Sequence, residues 1–330
     1  MIMTVTGPVH DDQLGKVLVH EHVQAVFAGQ ELDPSPRPPR EHFVARAVER
    51  MLQLREFGVN TFVDPCPIDL GRDVTIQKEV AERSGMNIVC ATGFYMEADG
   101  IGIPYYWRQR WPEEIAELYL HEINHGVGDT GVRPGLIKIA TGNPVGRHER
   151  KVLHGAALAA AECSLPVLSH TQNAVGGHEQ QDILERHGVD LRRTLIGHQD
   201  PQDDIGALVA IAERGSYIGI DRVGLSREAT DEHRVELVAG LVEAGFGDRV
   251  CLSQDHSCYE PSPRPAFWIP PQRAEELAKE VIPNIMWELT DRPHTYLFTD
   301  FLPRLRARGI DDATIDAMVS TNPTRFLSGL

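Results

Sequence analysis

V-L-V-H-E-H-V, residues 17–23, is an apolar run that closes on two histidines two positions apart. In an extended chain successive side chains alternate faces, so His20 and His22 point one way and Glu21 the other. Imidazoles paired like this form half of a metal site. An H-x-H by itself is equally consistent with one packed and one exposed histidine, so the reading turns on what the rest of the chain supplies.

Seven further apolar runs follow, at 60–66, 87–95, 135–141, 165–171, 194–200, 217–222 and 250–256. They alternate with helix-like segments at 41–57, 73–84, 112–124, 147–162, 178–187, 202–214 and 229–244, and a last helix is expected at 296–308. Near-continuous apolar character suits parallel strands covered on both faces. Eight such units predict an α/β chain folded as a (β/α)8 TIM barrel rather than an open doubly wound sheet. No G-x-G-x-x-G follows any strand candidate, so a dinucleotide site is not indicated. The first sixteen residues, with T-G-P-V and D-D-Q-L-G, read as an N-terminal β-hairpin extension. The proline-rich stretch 33–40 reads as a loop. Residues 256–293 form a long loop after strand 8, able to carry a helical stretch at 272–279; loops of that length are usually functional. No break in composition divides the chain, so 1–330 is read as a single barrel domain.

The 330 residues include 32 basic and 48 acidic side chains, a net charge of −16 that argues against nucleic acid or an anionic membrane as partner. Of the 15 histidines, His121, His125 and His187 fall in helical or loop contexts and read as surface residues. No secretory signal and no apolar run long enough to span a membrane is expected. Five cysteines without a C-x-x-C fit a reducing cytoplasm.

Chemistry in such a barrel collects at the C-terminal ends of the strands. Those ends carry His20 and His22, then Asp64, Tyr95, Lys138, His170, His198, Asp221 with Arg222, and Asp255. Lys138 sits inside G-L-I-K-I-A, where an unpaired ammonium would be costly to bury. It is either paired with a barrel carboxylate or carboxylated on its amine, which would make it an anionic bridge between two metals.

From V-H-E-H through I-K-I-A, L-S-H-T, I-G-H-Q-D and G-I-D-R to S-Q-D-H, the chain resembles the amidohydrolase superfamily, and within it the phosphotriesterase-like lactonase family. The resemblance implies a binuclear centre. His20, His22 and Asp255 would hold the buried metal and His170 and His198 the exposed one, with carboxylated Lys138 and a hydroxide between them. Imidazole and carboxylate suit two divalent ions, zinc first, with cobalt, manganese or iron as alternatives. Two cations lower the pKa of a shared water towards 7, and Asp255 is placed to take its proton. Tyr95, in A-T-G-F-Y-M, falls where similar lactonases carry a tyrosine near the hydroxide, and Arg222 matches their arginine. Asp200 is a candidate proton relay, although Pro201 follows it.

The expected function is thus a metal-dependent lactonase, acting on acyl-homoserine or other γ- and δ-lactones, with phosphotriester hydrolysis as a side activity. A dedicated phosphotriesterase or an N-acyl amide hydrolase would use the same centre, and a metal-binding protein without catalysis is a third class. The third loop, with E-A-D-G-I-G-I-P-Y-Y-W at 97–107, and the eighth, with Tyr259, Phe267 and Trp268, offer an aromatic lining for the substrate or else packing over the barrel end. A homodimer is expected by similarity to the family.

Overall fold

The computed structural model describes residues 1–97, 100–259, 275, 279 and 282–329. Strands β1 (Ile2–Thr4) and β2 (Gly7–Val9) pair antiparallel as the expected hairpin. Eight parallel strands follow: β3 (Lys16–Leu18), β4 (Val59–Asp64), β5 (Asn87–Gly93), β6 (Leu136–Thr141), β7 (Val167–Thr171), β8 (Thr194–Ile196), β9 (Tyr217–Ile220) and β10 (Val250–Leu252), neighbours in that order. Past the ladder, the amide of Asp255 donates to the carbonyl of His20 and that of His22 to the carbonyl of His256, both at 2.9 Å. These bonds join the last strand's extension to the first's, so the sheet is the nearly closed (β/α)8 barrel that the apolar runs predict.

Helices α1 (Arg40–Arg55), α2 (Val74–Ser84), the short α3 (Tyr105–Arg108) with α4 (Pro112–His125), α5 (Arg147–Cys163), α6 (Gly177–Arg186), α7 (Ile205–Glu213) and α8 (Asp231–Glu243) lie between the strands. Local signals set their ends. Asp73 caps α2 by accepting from the amides of Thr75 and Ile76, and Gly85 ends it at φ 68°, which glycine adopts without a Cβ clash. Among the described residues no helix is long and apolar enough to cross a membrane.

Alternation along the strands separates two apolar layers. Inward-facing Val17, Val63, Val89, Leu136, Leu168 and Leu195 form one cluster with Ile2 of the hairpin and with Phe326 and Leu327 of the helix Thr321–Ser328. The hairpin meets the strands at their N-terminal ends, where the amide of Val5 donates to the carbonyl of Ile88 at 2.9 Å. Outward-facing residues pack against helices: Ile137 and Ile139 meet Leu153 and Ala156 of α5 and Tyr119 of α4. Each such side chain removed from water contributes about 1.5–3 kcal/mol before its entropy cost is counted. The polar layer rests on this apolar floor. On β6, Leu136 and Lys138 share the inward face, so Lys138 is carried one step above the floor into the barrel mouth.

Several elements differ from the sequence expectation. Strands β3 and β8 are three residues each, shorter than the apolar runs that contain them, because the backbone leaves the ladder before the ligand-type residues. His198 and Asp255 lie in the left-handed region at φ 57° and 48°, which takes them out of strand geometry and re-aims their side chains. The expected helix at 296–308 begins as π-helical turns, Leu297–Phe301, and is α-helical only over Leu302–Arg308. Helices Asp312–Val319 and Thr321–Ser328 and the short α3 were not anticipated. The helical stretch expected at 272–279 lies outside the described residues apart from positions 275 and 279.

Candidate metal centre

The barrel mouth holds a cavity of about 310 Å³ whose lining includes His20, His22, Lys138, His170, His198 and Asp255. The six residues expected as ligands therefore meet at one place. His20 and His22 lie just beyond β3 rather than within it, yet both face the cavity. Glu21 points away, as the alternation requires, and accepts from the Ser253 hydroxyl and the Gln254 amide at 2.8 Å and from the His256 amide at 3.1 Å. Burial pushes its carboxyl up to about 8. It braces the chain on both sides of Asp255.

Asp255 is the hub of the cluster. Its carboxylate lies 3.1 Å from His22 Nε2, 3.7 Å from His20 Nε2 and 3.7 Å from His198 Nε2. Burial alone would raise its pKa; His198, His20, His22 and Arg222 outweigh burial and hold the carboxyl well below its ordinary range. Donor atoms of His20, His198 and Asp255 lie within 4.8 Å of one another, close enough for one cation. Lys138 Nζ is 3.2 Å from His20 Nε2, and burial lowers its pKa from 10.5 to about 8. His170 packs edge-on against His198, with ring centroids 4.5 Å apart.

The far nitrogens of these rings are held from behind. Asp221, fully buried on the extension of β9, reaches His20 Nδ1 at 2.8 Å and His198 Nδ1 at 2.9 Å. An acceptor on Nδ1 fixes the tautomer that leaves Nε2 free to coordinate. Asp64 does the same for His22, at 3.3 Å from Nδ1. His22, Asp64 and Cys66 also lie within reach of one ion. However, the Asp64 oxygens already accept from the amides of Val23 and Cys66 and from Gln77 Nε2, so Asp64 is scaffold for His22. Burial and nearby Lys138 push the His20 pKa down to about 3, and burial with His198 pushes that of His170 well below its ordinary value. Both imidazoles are therefore neutral, the state that binds a cation. His22 differs: its bonds to Asp255 and Asp64 outweigh burial and raise its pKa well above the ordinary value, so a cation there would take the place of a proton. The donor set and its burial fit a pair of divalent metals.

Tyr95 and Arg222 also line the cavity. The Tyr95 ring meets that of His170 edge-on at 5.1 Å, and burial pushes its hydroxyl up to about 12, so it stays protonated and able to donate. Arg222 Nε donates to Asp255 at 2.9 Å and its Nη1 bonds Glu228, so this side chain acts on Asp255 directly. Asp200 is fully buried and accepts from Arg234 Nε at 2.6 Å and from the amides of Arg222 and Asp221. It buttresses the backbone under the site.

The lining differs from expectation. Tyr259 is buried away from the cavity, stacked on Phe43 at 4.7 Å with its hydroxyl donating to Gln24. Tyr105 and Tyr106 of the third loop are exposed by 77% and 59% and do not line it. Phe267 and Trp268 lie outside the described residues. The wall comes instead from Ala25, Phe27, Pro67, Leu70 and Leu225, and the eighth loop contributes apolar lining through Met286 and Leu289. Asp221, Asp64 and Glu21 as supports, and Glu228 as the second partner of Arg222, were not identified in those roles from the sequence. The one available signal was that a carboxylate in a buried run needs donors close by.

The sequence profile of the phosphotriesterase family matches residues 1–327. The chain is 32% identical over 326 residues to an aryldialkylphosphatase of Saccharolobus solfataricus, covering 97% of each. It is 24% identical over 371 residues to an N-acetyltaurine hydrolase of Salmo salar, covering 99% of this chain and 97% of that one. Among solved structures, a mutant of a phosphotriesterase-like lactonase of Deinococcus radiodurans superposes with a TM-score of 0.87 at 31% identity, over 99% of this chain and 100% of that one. An organophosphorus hydrolase from Deinococcus radiodurans superposes at 0.88 and 32%, over 99% and 96%. These relatives are enzymes, which sets aside the reading of a metal-binding protein without catalysis. The chain belongs to the phosphotriesterase family and is a hydrolase.

Proposed function

We propose that the chain is a binuclear metal-dependent lactonase with slow phosphotriester hydrolysis as a side activity. The observation that carries this reading is the convergence of His20, His22, Lys138, His170, His198 and Asp255 on one cavity that also holds Tyr95. His20, His22 and Asp255 would hold one cation and His170 and His198 the other, with carboxylated Lys138 between them. Bound there, two divalent ions supply an acidified water and a Lewis acid for a carbonyl or phosphoryl oxygen. Asp255 takes the proton released as attack proceeds and returns it to the departing ring oxygen. Arg222 holds the outer carboxylate oxygen of Asp255 in position. Tyr95, kept protonated, donates towards the oxygen that gains charge. The apolar wall seats the acyl portion.

A phosphotriesterase or an N-acyl amide hydrolase is the second reading, supported by relatives named for those activities. After loading with zinc, cobalt or manganese, initial rates are compared on acyl-homoserine lactones, simple γ- and δ-lactones, a phosphotriester and acylated amino acids. The expected result is a kcat/KM on the best lactone at least about tenfold above that on the phosphotriester, a difference of about 1.4 kcal/mol. A preference for the phosphotriester or the amide would overturn the lactonase assignment.

Carboxylation of Lys138 has its own pH signature. Carbon dioxide adds only to a neutral amine. With a pKa of about 8, roughly a tenth of the Lys138 side chains are neutral at pH 7, against about one in 3,000 for an ordinary lysine. Because the neutral form grows as pH rises through 8, cobalt uptake by metal-free protein at a fixed concentration of dissolved carbon dioxide should be about five- to tenfold faster at pH 9 than at pH 7. Spectrophotometric uptake that ignores carbon dioxide at both pH values would count against the carboxylated bridge.

A further inference from the structure

Two guanidinium groups interrupt the apolar wall of the cavity, and they differ in what they hold. Arg222 is buried and committed to Asp255 and Glu228. Arg227, five residues further along the same loop, lines the same cavity but is exposed. Among the described residues it has no hydrogen bond and no ion pair. Its neighbours in sequence are occupied: Ser226 bonds Glu288, and Glu228 bonds Arg222. A cation with no partner among the described residues, facing an apolar cavity with a metal-capable floor, is placed to take an anion delivered by the substrate.

We propose that Arg227 receives a carboxylate at the end of the substrate remote from the scissile carbonyl, so that the preferred substrates are acyl compounds whose tail carries one negative charge. A guanidinium fork matches a carboxylate with two parallel N–H donors. A single charge fits better than a doubly charged phosphate monoester. Glu228 and Glu288 bond Arg222 and Ser226 of the same loop, and a dianion would meet the charge of both with the guanidinium of Arg227 alone to offset it. The chain's net charge of −16 repels anions at a distance, so selection for an anionic tail requires a local cation such as this one. The inference rests on the acyl-hydrolase reading above for the position of the scissile carbonyl.

The test uses metal-loaded full-length protein and two esters of equal chain length, mono(4-nitrophenyl) glutarate and its methyl ester. The acid should exceed the methyl ester in kcat/KM by about five- to tenfold in the wild type, with the difference carried by KM. Arg227→Gln should bring that ratio to within about twofold of unity, and Arg227→Lys should keep at least a third of it. A ratio unchanged in Arg227→Gln overturns the proposal. Calorimetric titration with glutarate and monomethyl glutarate reads the same preference without turnover. Both ligands offer one carboxylate to the metal floor, and only glutarate offers a second. The wild type should bind glutarate about five- to tenfold more tightly, and Arg227→Gln should lose that margin. Absence of hydrolysis of either ester would sink the acyl-hydrolase reading while the titration still decides the role of Arg227.

Discussion

Metal-loaded Asp255→Asn should hydrolyse its best lactone about a thousandfold more slowly than the wild type, within the range that removal of a positioned acid–base group produces. The substitution isolates one property. Asn keeps the size of Asp and one oxygen, and it tolerates the left-handed backbone at φ 48° as readily as Asp does. What it cannot do is accept a proton and carry negative charge among three imidazoles at 3.1–3.7 Å and the Arg222 guanidinium at 2.9 Å. The wild-type carboxylate is held well below its ordinary pKa, chiefly by His198 and His20 against the effect of burial. It is therefore ionised across neutral pH and loses its acceptor role only in acid. Its side chain retains 15% exposure, enough to exchange the proton with solvent. Elemental analysis separates the roles. Full metal content with lost turnover assigns Asp255 as proton acceptor, lost metal assigns it as a ligand the centre requires, and full metal with near-normal turnover removes it from the mechanism.

How far the site could be read from sequence depended on whether the backbone stayed regular. On β6 and β7 the alternation of two places Lys138 above Leu136 and His170 above Leu168, and both follow from the pattern of apolar neighbours. His198 and Asp255 do not follow from it, because both sit past their strands with positive φ. They were placed by strand-end position and resemblance. The supports escaped because their partners are distant in sequence: Asp221 meets His20 across 201 positions, and no local period encodes that. The loops failed for a related reason. Tyr259 was an aromatic on a suitable loop, but whether a loop side chain turns into the cavity or onto α1 is decided by packing with Phe43. The C-terminal helices also carry a signal in the sequence. Ile315, Met318 and Val319 have helical spacing behind the Asp311 cap, and Phe326 with Leu327 completes the apolar floor.

Asp221→Asn should lower metal affinity by about ten- to a hundredfold, the usual cost of removing the group that orients a ligating histidine. The loss should fall unevenly. Oδ1 of Asp221 accepts two bonds, from the His198 amide at 2.8 Å and His198 Nδ1 at 2.9 Å, whereas Oδ2 accepts only from His20 Nδ1 at 2.8 Å. An asparagine will keep its single carbonyl oxygen where two donors converge and turn its amide towards His20. Two donors then face each other, which His20 relieves by moving its proton to Nε2, the atom that must coordinate. Burial and Lys138 already keep His20 neutral, so protonating both nitrogens is the costlier escape. The expected result is a protein that binds one divalent ion nearly as before and a second one weakly. Cobalt titration against a competing chelator, followed by its visible absorption, distinguishes this from uniform weakening. Two equal sites of wild-type affinity would mean that Asp221 does not set the tautomer, and two equally weakened sites would mean that it supports His20 and His198 alike through charge.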